Sequence, residues 1–132
     1  MKKNIALLAF IISTLLVSCV KKETLTPIDL TGEWIGTGYE CPAGTLHTER
    51  VKIVQEGSNI VATKITGDLC VLAGSTTFKG TFDGKTKIGN ITWNTGNPPQ
   101  PSCCTAQGTL ILQDTILKAA ILGGEAVIFK RG

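Results

Sequence analysis

Residues 76–94 read TTFKGTFDGKTKIGNITWN. Phe78, Gly80 and Phe82 alternate with Lys79 and Thr81, and Ile91 and Trp93 resume the two-residue period beyond Asp83-Gly84. Successive side chains of an extended chain point to opposite faces, so this alternation predicts strands buried on one side. Glycine after aspartate accepts the positive φ of a tight reversal. The stretch therefore predicts an antiparallel hairpin, with strands over 76–82 and 87–94.

Outward from that hairpin the same texture continues. Thr, Ile, Val and Gly dominate from Gly32 on, with turn signals at short, regular spacing. Further strands are expected over 33–39, 49–56, 59–66, 106–112, 116–122 and 126–130. The run 119–122 (AAIL) is too short for a helix and is stopped by Gly123-Gly124. Gly57-Ser58 and Gln113-Asp114 join Asp83-Gly84 as tight turns, whereas 40–48, 67–75 and the Pro-rich 95–105 are longer. In an up-and-down meander, alternate connections lie at opposite ends. The tight turns then share one end, and the long loops share the other with a short turn at Gly123-Gly124-Glu125. Eight such strands suit an all-β, antiparallel, up-and-down closed barrel, which leaves no sheet edge exposed.

This register gathers Cys41, Cys70, Cys103 and Cys104 at the long-loop end, together with His47 and Pro98-Pro99. The polar segment 20–31 and the end of the last strand fall at the opposite, closed end. Loops held on a rigid scaffold are where binding usually resides. The functional surface is therefore expected at the mouth.

The first residues carry a different signal. Lys2 and Lys3 precede an apolar run over 5–17 (IALLAFIISTLLV), and charge returns only at Lys21. That order is the order of a secretory signal peptide. As a helix the run would extend about 20 Å, short of the ~30 Å of hydrocarbon that a membrane-spanning helix must cross. It closes on Leu16-Val17-Ser18-Cys19, which resembles the bacterial lipoprotein signal at all four positions. The resemblance implies cleavage before Cys19, a diacylglyceryl thioether on its sulfur and an acylated amino group. More than one chain makes anchoring stable, each buried methylene contributing about 0.8 kcal/mol. Val20 stands where inner-membrane lipoproteins of enteric bacteria often carry Asp, which points to an outer membrane of the cell envelope. The expected organisation is a signal peptide over 1–18, the lipidated Cys19 and tether over 19–31, and a barrel domain over 32–132.

Loss of residues 1–18 removes two lysines and no acid, so the formal charge of +3 falls to +1. Such a balance gives no footing for a nucleic-acid partner. Only Trp34, Tyr39, Phe78, Phe82, Trp93 and Phe129 supply aromatic volume beyond the signal. Small exported domains with thin cores commonly add disulfides, and four cysteines remain once Cys19 is assigned to lipid. Two bridges are expected among Cys41, Cys70, Cys103 and Cys104. Neighbouring Cα atoms lie about 3.8 Å apart while a bridge usually needs about 4.4–6.8 Å, so direct Cys103–Cys104 bonding is strained. Their side chains point opposite ways in an extended segment, so each can reach one of Cys41 and Cys70, pinning the Pro-rich loop across the mouth. The competing pairing, Cys41–Cys70, closes a loop worth about 3.5 kcal/mol in the chain-entropy model.

Gly32-Glu33-Trp34 opens the first strand directly after the tether. This Gly-x-Trp is similar to the start of the lipocalin and wider calycin barrels. The resemblance implies a lipocalin-like fold, with Trp34 as a plug across the barrel floor. The chain departs from that family in its shorter length and in lacking the helix that typically follows the barrel. Tyr39-Glu40-Cys41 resembles a fragment of the membrane-bound lysozyme inhibitors, which are small, disulfide-stapled lipoprotein barrels. Their Ser-Gly-x-x-Tyr loop is not found here, and Thr63-Lys64 is followed by Ile65 in place of glycine.

Four thiols and His47 at one rim would offer ligands to zinc, but no C-x-x-C spacing occurs and an exported compartment oxidises thiols. No metal and no cofactor are expected. His47 has no nucleophile or orienting partner at a recognisable spacing, and it reads as a solvent-facing loop residue. No phosphate loop, nucleophile elbow or metalloprotease motif occurs, so no enzymatic activity is expected. Trp93, Tyr39, Gly36 and Gly38 either line a cavity for a small apolar molecule or lipid, or simply fill and coil the barrel. Residues 96–101 (GNPPQP) read as a stiff, polyproline-like loop, suited to a partner in the envelope or to spanning the mouth. Two functions follow from these residues: an anchored barrel that binds a small apolar ligand, or a protein-binding module.

Overall fold

The computed structural model describes residues 26–41, 44–66, 71–95 and 105–132. They form eight strands: β1 (Gly32–Cys41), β2 (Gly44–Glu56), β3 (Asn59–Lys64), β4 (Thr76–Asp83), β5 (Ile88–Asn94), β6 (Thr105–Gln113), β7 (Ile116–Ile121) and β8 (Val127–Arg131). Each pairs antiparallel with its neighbour in sequence, and β1 pairs with β8 to close the barrel. The seam is short: Trp34 opposes Arg131, Ile35 opposes Lys130 and Gly36 opposes Phe129. All-β closure is thus the observed architecture, with no helix among the described residues.

Period-two alternation builds the interior. Val51 and Ile53 of β2, Ile60 and Ala62 of β3, Ile91 and Trp93 of β5, and Leu110 and Leu112 of β6 are all buried. Trp34, Phe78, Phe82, Trp93 and Phe129 supply most of the volume. Phe78 stacks on Trp93 with ring centroids 5.2 Å apart, and Phe129 lies 6.2 Å from Phe78. Gly36 is where the wall thins for this cluster. A Cβ there would meet the Phe129 ring at 2.7 Å, so Gly36 admits an aromatic ring and not a ligand.

The ends sort as the meander requires, with three differences of detail. Residues 40–48 are not a loop: Tyr39 opposes Leu46, Glu40 opposes Thr45 and Cys41 opposes Gly44, so β1 and β2 continue as a ribbon. Its backbone groups find partners across the ribbon without needing an apolar face, so no hydrophobic period announces it. His47 accordingly lies in β2. Asp83 opposes Ile88, leaving four residues in that turn where two were expected. The Asp83 carboxylate holds it by accepting from Lys85 N at 2.9 Å and Thr86 Oγ1 at 3.1 Å. Gln113 opposes Ile116, so Asp114-Thr115 is the last tight turn, with Asp114 at φ 53°. A register shift between Ala62 and Thr63 lets β3 end at Lys64 and leaves Thr77 as the extra residue of a β-bulge.

The closed end is sealed by the segment before β1. Leu30 is fully buried against the core, and Ile28 packs beside it. Leu30 N donates to Gln55 Oε1 at 2.9 Å, and Gln55 N donates to Thr31 Oγ1 at 3.1 Å. Gly84 permits the crossing, because a Cβ there would lie 2.6 Å from Ile28 N. Residues 28–31 are therefore part of the folded unit, where the composition suggested tether.

Candidate functional site

Of the residues singled out above, Cys19, Cys70, Cys103 and Cys104 lie outside the described residues. Cys41 ends β1 at the mouth, and its side chain and that of His47 are likewise outside the described set. The chain leaves β5 at Asn94 and rejoins the sheet at Thr105, both at the mouth. Among the described residues, no group of three or more His, Cys, Asp or Glu converges as metal ligands. No helix among them is long and apolar enough to cross a membrane.

Trp34 lies at the closed end, with Nε1 donating to Leu30 O at 2.8 Å. The Arg131 guanidinium covers its ring, 4.8 Å from the centroid. Arg131 also donates to Thr31 O at 2.9 Å and Asp29 O at 2.7 Å. The guanidinium fork thereby fastens the end of β8 to the segment before β1 while stacking on an aromatic face. This is a structural clamp. Its arginine shares the parity of Val127 and Phe129 but lies two residues beyond Phe129, the last apolar residue of β8, so the apolar period ends before it.

The interior holds a charged pair. Lys64 Nζ donates to Glu49 Oε2 at 2.6 Å and to Tyr39 Oη at 3.2 Å. Both side chains of the ion pair are completely shielded from solvent. Burying two charges is costly unless geometry and further hydrogen bonds repay the desolvation, and the short contact and the tyrosine hydroxyl serve that end. Glu49 is in phase with Val51 and Ile53, and Lys64 with Ile60 and Ala62, so strand parity alone carried the signal. Tyr39 is different. It follows the outward positions Ile35 and Thr37, yet its ring is buried and meets Trp93 edge-on at 5.7 Å.

Tyr39 and Trp93 also form one side of a cavity at the mouth, of about 580 Å³. Among the described residues, Ala106, Ile121 and Leu122 add to its apolar wall, and Glu40 and Glu125 are the charged ones. Leu122, at 80 % exposure, is the most exposed of the large apolar side chains among the described residues. Trp93 Nε1 is buried with no hydrogen-bond partner, an unusual condition for a donor in a packed interior. Below this level the barrel is filled by Phe78, Phe129 and the clamp around Trp34. The structure thus brings Tyr39 and Trp93 together at a concavity and assigns Gly36 to packing. Leu122 and Glu125, beside the Gly123-Gly124 turn, were not singled out by the sequence. No family model, no curated protein and no solved structure matches the chain.

Proposed function

We propose that this chain is a lipid-anchored, non-enzymatic binding protein of the bacterial cell envelope that takes a small, largely apolar molecule at the mouth of its barrel. The observation that carries the reading is the mouth cavity of about 580 Å³, walled by Tyr39, Trp93, Ala106, Ile121 and Leu122. Its size lies in the range of about 300–1,000 Å³ typical of ligand pockets, which combine an apolar wall with a few polar groups. The filled lower barrel favours a ligand seated at the rim over one swallowed whole. Anchoring through Cys19 is supported by Leu16-Val17-Ser18-Cys19 and by the chain's approach to the barrel at its closed end. The mouth then faces away from the membrane.

Native mass spectrometry of the protein from Lys21 onward, exported to a bacterial periplasm and purified gently, tests this. A stoichiometric extra mass that is lost on denaturation is the expected result. A bare polypeptide mass, or an extra mass that persists when Ala106→Trp fills the cavity, overturns it. The second reading is a protein-binding module, favoured by the β1–β2 ribbon that stands at the mouth and by exposed Leu122.

A further inference from the structure

We propose that the ligand of the mouth cavity is an organic cation with an apolar body; this rests on the mouth-cavity reading above and adds the sign of the charge. Among the described residues, the two charged ones lining the cavity, Glu40 and Glu125, are both acidic. Of the exposed lysines and arginines among the described residues, Lys118 opposes Ile128 near the mouth end of β8, but none lines the cavity. Lys85, Lys87, Lys130 and Arg131 lie at the closed end. The connecting segments 42–43, 67–70 and 96–104 contribute Asp68 and no Lys or Arg to the sequence. At the closed end Asp29, Glu33, Glu56, Asp83 and Asp114 offset such bases, whereas the described lining of the cavity carries carboxylates alone.

The sign rests on the two carboxylates, because Trp93 is buried against Phe78 and the Tyr39 ring already faces Lys64 Nζ at 5.3 Å from its centroid. Lys64 Nζ, which reaches Tyr39 Oη at 3.2 Å, does not reverse the balance, because Glu49 matches its charge at 2.6 Å. A cation with an apolar body would place its charge between Glu40 and Glu125 and its body against Ile121 and Leu122. An anion of the same shape would meet two carboxylates and no compensating base. Field lines from such a one-signed rim also raise the local concentration of cations before contact.

The test uses three probes with one apolar body: 4-tert-butylbenzyl-trimethylammonium, 4-tert-butylbenzyl alcohol and 4-tert-butylbenzoate. Each is titrated calorimetrically into the exported full-length product, held in zwitterionic-lipid nanodiscs where it carries lipid, with empty nanodiscs as control. The cation is expected to bind about tenfold more tightly than the alcohol, and the benzoate most weakly. The preference should shrink as salt rises to about 0.5 M, because exposed charges are then screened. The double variant Glu40→Gln/Glu125→Gln should bring the cation's affinity down toward the alcohol's, while thermal unfolding confirms that the barrel is intact. Equal binding of all three probes overturns the charge assignment and leaves the mouth cavity as a binding site. Binding of none overturns both.

Discussion

Glu49 and Lys64 show how much one buried pair depends on both of its members. Their contact is 2.6 Å with neither side chain exposed, so removing one leaves an uncompensated charge inside the barrel. Lys64→Met is expected to cost about 3–5 kcal/mol of unfolding free energy in urea titrations. Lys64→Met combined with Glu49→Leu should recover most of that loss, because an apolar pair of similar volume carries no desolvation penalty. A double variant as unstable as the single one would show that the charges hold the barrel in a way that packing cannot replace. The pair was legible in principle: Glu49 shares parity with Val51 and Ile53, and Lys64 with Ile60 and Ala62. Tyr39 was not legible as a buried residue, since strict alternation from Trp34 points it outward and only the three-dimensional course of the ribbon brings its ring over Trp93.

The elements legible from the sequence are those with an apolar period. Strands β4 and β5 match the expected bounds within a residue or so, because Phe78, Phe82, Ile91 and Trp93 mark them. The polar ribbon of β1 and β2 and the segment 28–31 carry no such mark, so their composition resembles loop and tether. Leu30 nonetheless seals the closed end, and Leu30→Ala is expected to lower stability by about 2–4 kcal/mol in chemical denaturation. Asp29 in the same segment is held below the ordinary carboxylate range, chiefly by the hydrogen bond from the Thr31 side chain. A folded-state value below the unfolded one means that the stabilisation is present above the ordinary carboxylate range. It fades as pH falls through the folded-state value. The melting temperature of Asp29→Asn should therefore lie below that of the parent at neutral pH and converge with it in acid. Parallel curves across that pH range would show that the carboxylate contributes nothing to the floor. The group is almost fully exposed, so the gap at neutral pH should be small.

For the whole molecule, the fold follows from connection lengths more than from any single strand, since alternating short and long connections sort the two ends of a meander. The site was legible only in outline. Tyr39 and Trp93 were named as cavity or core and serve as both, while Leu122 and Glu125 sit beside a glycine turn that looked like simple punctuation. Cys19→Ser is expected to move the protein from the membrane fraction to the soluble fraction on cell lysis, without changing the melting temperature of the barrel. Retention in the membrane fraction would place the anchor elsewhere. The seam between β1 and β8 has a mechanical meaning. Strand β1 begins and β8 ends at the closed end, with Trp34 facing Arg131 and only three residue pairs between the strands. A pull that separates those two ends loads the ladder one rung at a time, as a zipper opens, and never in shear. The Arg131 guanidinium, bonded to the carbonyls of Asp29 and Thr31, is the hook at the top of that zipper. A tug on the segment before β1 therefore meets its first resistance at the clamp, and under the proposed anchoring such a load would open the barrel from its closed end.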